Sequence, residues 1–119
     1  MACEIIRIID SVVYVRIRDV MRIADMKTLE KVAEELIGQG KKLRLLASLE
    51  NFQGWEKTEK WSDVDFMMNH GNDIVKMAIV GDERWKEEAF LFVGRGMRNT
   101  EIEFFPLTLL KNAEVWVTS

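Results

Sequence analysis

The segment from Ile74 to Asp82 constrains the fold more than any other part of the sequence. It reads Ile-Val-Lys-Met-Ala-Ile-Val-Gly-Asp, with aliphatic residues over the length of one strand. Strands with so few polar positions are typical of the centre of parallel sheets. Gly81 can adopt turn dihedrals and Asp82 is a good helix N-cap. We therefore expect a buried strand that leads through a tight turn into a helix.

The rest of the sequence predicts strands and helices that follow one another around this central strand. Alternating β-branched residues indicate half-buried strands, and apolar residues spaced three and four apart indicate amphipathic helices. We expect an antiparallel hairpin at the N-terminus, followed by parallel strands joined by helices. The predicted strands are Glu4–Ile9, Val12–Ile17, Lys42–Leu49, Ile74–Val80 and Glu101–Phe105. The predicted helices run from Asp25 to Gly38 or Gly40, from Lys57 or Ser62 to Asn69, from Asp82 to Val93, and from Pro106 through Val117.

Charged residues in these strands fall on the parity opposite the apolar residues. This pattern predicts a sheet with one face in the core and one largely polar face. The simplest architecture is a mixed five-stranded sheet with about four helices packed on one face, in a single domain over residues 1–119. The charged positions are Arg16, Arg18, Lys42, Arg44, Lys76, Glu101 and Glu103.

Composition excludes several functional classes. The net charge of −3 and the pI of about 5.3 argue against nucleic-acid binding, which requires a basic surface. The single cysteine, Cys3, excludes an internal disulfide and is typical of a reducing cytoplasm. We find no secretory signal pattern and no apolar run long enough to cross a bilayer, so we expect a cytoplasmic protein.

The middle of the chain is unusually rich in large aromatic side chains. Phe52-Gln-Gly-Trp55 is interpreted as a turn after the third strand, and Trp85 follows the fourth. Because ligands of open parallel sheets bind beyond the carboxyl ends of the strands, these residues predict an aromatic cleft between the second and third helices. Packing in an ordinary core explains Trp61 and Trp85 equally well. The predicted lining residues are Phe52, Trp55, Trp61, Val64, Met68, Trp85 and Ala89.

Residues that could carry catalysis have simpler explanations. His70 is the only histidine and has no pattern of metal ligands or nucleophiles around it. Asp63 and Asp65 lie near a predicted helix start, where the helix dipole favours carboxylates. Asp82 is accounted for by capping, and Cys3 has no second cysteine for redox chemistry. We therefore expect a protein that is not an enzyme and that uses no cofactor or metal, with catalysis by Asp82 or His70 as a weaker alternative.

The order and spacing of several motifs resemble the SpoIIAA-like (STAS-type) family, in particular its small stand-alone bacterial members. The resemblance covers the second half of the chain well, whereas the first half agrees in the order of elements. The matching segments are Phe52-Gln-Gly-Trp55, Trp61 through Phe66 to His70, Lys76 to Asp82 with Trp85, Phe105, and Ala113-Glu-Val-Trp116.

The resemblance implies a SpoIIAA-like domain that binds hydrophobic or lipid-like molecules and associates with membrane surfaces. It also implies an alternative role, a protein-interaction module related to anti-sigma-factor antagonists. Those antagonists carry an Asp-Ser-Ser-Gly phosphorylation motif, whereas the matching region here reads Ala47-Ser-Leu-Glu-Asn-Phe52. Ser48 is a poor substitute because it lies inside a predicted strand. Homodimerisation is left open by the residues alone.

Overall fold

The computed structural model of the protein describes residues 3–57, 73–96 and 99–119. These residues form five strands and three α-helices, with short 3₁₀ turns before the second and third helices. The strands are β1 (Cys3–Ile9), β2 (Val12–Met21), β3 (Leu43–Trp55), β4 (Ile74–Val80) and β5 (Glu101–Phe105). The helices are α1 (Ile23–Gly38), α2 (Lys86–Val93) and α3 (Leu110–Thr118).

The five strands form one mixed sheet in the order β1-β2-β3-β4-β5. The β1–β2 pair is antiparallel and the other three pairs are parallel, as the sequence predicted. Asp10 and Ser11 connect the hairpin with φ values of 49° and 72°. Positive φ at both central residues matches the twist of a two-residue hairpin, so this turn forms without a glycine.

Strand β3 is longer than predicted, and the prediction of a turn at Phe52–Trp55 is wrong. This segment instead continues β3 and pairs with the end of β2, with Gly54 opposite Val20 and Trp55 opposite Met21. Asn51 and Gly54 have φ values of 50° and 105°. The positive φ angles of these two residues accommodate the irregular pairing within β3. The strand therefore continues through a segment whose glycine and composition are typical of a turn.

Helix α1 begins two residues before the predicted N-cap. Arg22 occupies the N-cap position, and its backbone N–H donates to the Asp25 carboxylate at 3.1 Å. Asp25 therefore acts from the third helical position, where it completes one half of a capping box. The predicted end at Gly38 is confirmed.

The turn after the central strand agrees with the sequence prediction. The Asp82 carboxylate accepts a hydrogen bond from the Arg84 backbone N–H at 3.0 Å, and so caps the 3₁₀ turn Glu83–Trp85 that leads into α2. Gly94 ends α2 in the left-handed conformation with φ of 73°. Only glycine adopts this conformation without steric cost, which is why the helix stops there.

The prediction that all helices pack on one face of the sheet is wrong for the C-terminal helix. Helices α1 and α2 pack on the face of Val13, Val15, Ala47 and their neighbours. Helix α3 packs on the opposite face, where Ala113 and Val117 are fully buried. This second cluster also contains Val12, Tyr14, Leu46, Ala78 and Val80.

Handedness explains the difference. Parallel strands in sequential order and right-handed crossovers place every connection on the same face. Helix α3 follows the last strand and connects no further strand, so this rule does not restrict it. It covers the face on which β2, β3 and β4 also carry apolar residues.

Two basic residues that were predicted to face water instead bind the C-terminal end of α3. Arg44 donates to the main-chain oxygens of Val117 and Ser119 at 2.8 and 2.6 Å. The Lys76 ammonium donates to the Trp116 and Ser119 main-chain oxygens, both at 3.1 Å, and lies 5.0 Å from the Trp116 ring centroid. The carbonyl groups at a helix C-terminus carry partial negative charge, so both cations stabilise this helix end.

The second predicted helix, Lys57 or Ser62 to Asn69, lies outside the described residues except for Lys57. Within the described ranges, no helix combines the length and apolar character needed to cross a bilayer.

Replacing Lys76 with methionine tests the capping of α3. The substitution keeps the apolar stem on Trp116 but removes the charged donor, and the Lys76 side chain is only 14% exposed. We expect the free energy of unfolding in urea to fall by about 1–2 kcal/mol.

Lys42→Met is the matched control. Lys42 also forms an ion pair, with Asp73 at 2.9 Å, but its side chain is 64% exposed. Exposed ion pairs contribute little, so the loss should stay below about 0.5 kcal/mol. Equal losses in the two variants would contradict a capping role for Lys76.

Candidate ligand-binding cavity

Four aromatic side chains meet at the carboxyl end of β3. The ring centroids of Phe52 and Trp55 are 5.0 Å apart, and Trp85 lies 5.0 Å from Phe52 and 6.0 Å from Trp55. Phe92 of α2 lies 5.1 Å from Trp55. The edge-to-face geometry of the first three pairs is the arrangement that the ring quadrupoles favour. The strand extension thus brings two aromatics of β3 against two that follow β4.

Gly54 lies directly against the Trp85 indole of this cluster. A Cβ atom at this position would lie 3.4 Å from Cη2 of Trp85, and the backbone φ of 105° disfavours any other residue. The Trp85 indole therefore lies directly over the β3 backbone, which fixes its position beside Phe52 and Trp55.

A cavity of about 250 Å³ lies between the sheet and helices α1 and α2. Its lining follows alternate residues of three strands, together with one side of each helix. Among the described residues that line it, Glu30 and Arg44 are charged and the others are apolar. The apolar lining residues are Val13, Val15, Ile17, Met21, Met26, Leu29, Val32, Ala33, Leu43, Leu45, Ala47, Leu49, Phe52, Trp55, Ile74, Met77, Ile79, Ala89, Phe92 and Val93.

Helix α1 forms one wall of the cavity, although Met26, Leu29 and Leu36 also pack against the core. Its only buried residue is Asp25, at the first turn. The apolar side chains of Leu29, Val32 and Ala33 are partly exposed and line the cavity instead. An amphipathic helix of this kind normally buries its apolar stripe, so the space beneath α1 is a distinct feature of this protein.

The structure brings together the described residues of the predicted cleft. Phe52, Trp55 and Ala89 line the cavity, and Trp85 packs behind Phe52 and Trp55. The predictions for Trp61, Val64 and Met68 lie outside the described residues. The sequence analysis placed the cleft between the second and third helices and missed the contribution of α1. The apolar stripe of α1 was the available signal, and the prediction interpreted it as packing on the sheet.

The charged groups at the cavity have partners elsewhere. The Glu30 carboxylate lies 3.6 Å from the Lys27 ammonium on α1. The Arg44 guanidinium reaches across to the end of α3, on the other face of the sheet. The indole N–H of Trp55 differs, because it is buried and has no hydrogen-bond acceptor among the described residues. Buried donors are nearly always satisfied, so this group is unusual.

Two candidate reactive residues have structural surroundings that weaken a chemical role. Cys3 is buried, and desolvation raises the pKa of its thiol to about 12, with a further contribution from the Asp25 carboxylate. The thiol is therefore protonated at neutral pH and is a poor nucleophile. Ser48 lies within β3, paired with Arg16 on one side and Val80 on the other. It does not begin a helix.

Comparison with known proteins supports a common fold. The family model described as SpoIIAA-like matches residues 12–118 of this chain. The crystal structure of an uncharacterised protein from the DUF3478 family of Shewanella loihica PV-4, with a SpoIIAA-like fold, superposes with a TM-score of 0.72. That protein is 19% identical in sequence, and the match covers 98% of this chain and 92% of the other. The search of curated proteins gave no match.

Replacing Gly54 with alanine tests whether the contact with Trp85 depends on glycine. The new methyl group contacts the indole, and the backbone at φ of 105° is strained for alanine. We expect the free energy of unfolding to fall by about 1–3 kcal/mol.

Gly38→Ala provides the opposite control. It lies at the end of α1, and a Cβ atom there has no neighbour within 4 Å. Alanine is the better helix former, so stability should rise by up to about 1 kcal/mol. If Gly54→Ala were as stable as the unmodified protein in urea, the proposed requirement for glycine at this backbone conformation would be wrong.

Proposed function

This chain belongs to the SpoIIAA-like family, and we propose that it is a non-enzymatic protein that binds a hydrophobic, lipid-like molecule in the cavity beneath α1 and α2. The observation that carries the proposal is the cavity itself, with its volume of about 250 Å³ and its apolar lining. Apolar cavities of about 150 Å³ already accept small hydrophobic molecules, and natural ligand pockets begin at about 300 Å³. The available space therefore suits a small apolar ligand.

Energetics favour occupation of this cavity. The apolar side chains that border the cavity lack packing partners on that side, which costs free energy. A ligand that fills the space recovers part of this free energy, because it restores those contacts. Binding and stability are therefore expected to be coupled.

The surroundings of the candidate catalytic residues support a non-enzymatic role. Asp82 is exposed and its carboxylate caps the turn before α2. The Cys3 thiol is protonated at neutral pH, as its raised pKa requires. Within residues 3–57, 73–96 and 99–119, no three His, Cys, Asp or Glu side chains are grouped as metal ligands. His70, the other candidate, lies outside the described residues.

The proposal includes a peripheral encounter with membranes, since an apolar ligand of this kind is stored in bilayers. Flotation of the protein with phosphatidylcholine vesicles tests this part. If a substitution that fills the cavity abolishes the vesicle-bound fraction, contact with the membrane serves ligand exchange. If the unmodified protein does not float with the vesicles at all, its role is limited to ligands dissolved in water.

A second candidate function is a protein-interaction module of the STAS type, which one surface feature favours. Leu91 on α2 is the most exposed large apolar side chain among the described residues, at 82%. Large apolar side chains at this degree of exposure are common in protein contact surfaces when they are grouped. A partner or a second copy that binds here would be lost on Leu91→Ser in a pull-down or sedimentation experiment, with ligand binding unchanged.

Filling the cavity tests the main proposal. Ala47 lies in the middle of β3 and lines the cavity, so Ala47→Leu places three additional carbon atoms inside it. We expect the affinity for the neutral fluorescent probe N-phenyl-1-naphthylamine to fall at least about ten-fold. The free energy of unfolding without ligand should rise by about 0.5–2 kcal/mol, as for other cavity-filling substitutions.

Ala24→Leu adds the same side chain on the exposed surface of α1 and should change neither quantity appreciably. The sign of the stability change is informative on its own, because a leucine forced into a filled core lowers stability by about 1–3 kcal/mol. Destabilisation of Ala47→Leu together with unaltered probe binding would refute the proposed site.

A further inference from the structure

We propose that the ligand of this cavity is an uncharged, largely apolar molecule with one oxygen acceptor, and that this oxygen accepts a hydrogen bond from the indole N–H of Trp55. The inference rests on the proposed function and names the chemical class that the same site selects. Three features carry it: the course of the cavity, the unsatisfied donor at one end, and the charges around that donor.

The cavity extends along β3 and is bordered by β2 and β4 on either side. It follows β3 from Leu43 through Leu45, Ala47 and Leu49, and continues to Phe52 and Trp55. The four alternate residues alone span about 20 Å at about 3.3 Å per residue. The lining therefore has room along β3 for a chain-like ligand.

Trp55 provides the polar contact at the aromatic end of this space. Its Nε1 atom is buried, and no described residue supplies an acceptor. The side chain lines the cavity, so a ligand in the cavity comes next to the indole. A buried donor without a partner costs free energy, and a ligand oxygen that accepts its hydrogen bond removes that cost. The donor therefore favours a ligand with an acceptor over a plain hydrocarbon.

The charges near Trp55 select against an ionised head group. Its ring contacts are the aromatic groups of Phe52, Trp85 and Phe92. The guanidinium of Arg84 lies over Trp85, 5.1 Å from its ring centroid, and neither residue is among the described lining residues of the cavity. A ligand carboxylate inside the cavity would lose its hydration and gain one neutral donor in exchange.

A cation does line the cavity, but at its other end. Among the described lining residues this is Arg44, at the start of β3, and its guanidinium binds the end of α3. The aromatic end therefore favours a ketone, ester or alcohol oxygen over a carboxylate.

Competition with N-phenyl-1-naphthylamine tests the inference with three probes of equal chain length: 2-undecanone, undecane and undecanoate. On the unmodified protein at pH 7.5, 2-undecanone should displace the fluorescent probe at a concentration roughly five-fold lower than undecane, as expected for one additional hydrogen bond. Of the two oxygen-containing competitors, undecanoate should bind more weakly than 2-undecanone. In ¹H–¹⁵N spectra, the Trp55 indole signal should move downfield with 2-undecanone and not with undecane.

Trp55→Phe keeps an aromatic ring and removes the N–H, so the preference for 2-undecanone over undecane should fall to about one. Trp85→Phe is the matched control, because it removes an indole that does not line the cavity and should leave the preference intact. A preference that survives Trp55→Phe, equal binding of ketone and alkane to the unmodified protein, or tighter binding of undecanoate than of 2-undecanone would each overturn the inference.

The experiment also separates this inference from the proposed function. If N-phenyl-1-naphthylamine binds the unmodified protein and Ala47→Leu abolishes that binding, the cavity is a ligand site whatever the head-group preference. If the probe does not bind at all, both the function and the inference are wrong. The competition series on the unmodified protein requires no variant, so poor folding of Trp55→Phe does not prevent a decision.

Discussion

The sequential order of four parallel strands is the constraint on which the rest of this structure depends. Because the strands follow one another in order across the sheet, right-handed parallel crossovers place the connecting helices on one face. Helices α1 and α2 therefore face the same surface of the sheet. The opposite surface is left for α3, which no crossover rule restricts. The two faces of the sheet consequently differ in how closely they are packed.

The face covered by α3 is tightly packed, whereas the crossover face encloses space. Ala113 and Val117 are fully buried, and Arg44 and Lys76 bind the end of the helix. Beneath α1, by contrast, no apolar side chain of the helix is buried. Apolar residues that border this unfilled space of about 250 Å³ lack packing contacts on that side, which costs free energy. The simplest physical reason to retain it is that an apolar ligand occupies it, which is the basis of the proposed function.

The aromatic cluster shows how a local prediction can be wrong while its spatial consequence is right. Phe52 and Trp55 were expected in a turn beyond the third strand, but they lie within it. They still meet Trp85, because the carboxyl ends of β3 and β4 lie on the same edge of the sheet. Pairing with the long strand β2 decided the local conformation. Such pairing is a tertiary interaction, and composition alone favoured the turn.

The sequence by itself determined the central strand Ile74–Val80, the Asp82 cap, the Gly94 helix end and the mixed sheet, because these depend on local conformational preferences and on hydrophobic periodicity. It also indicated that Phe52, Trp55, Trp85 and Ala89 would come together. Only the tertiary structure decided that α3 covers the second face, that Arg44 and Lys76 cap its end, and that α1 borders a cavity. Each of these depends on the distance between elements remote in sequence, and no spacing of residues along the chain specifies such a distance.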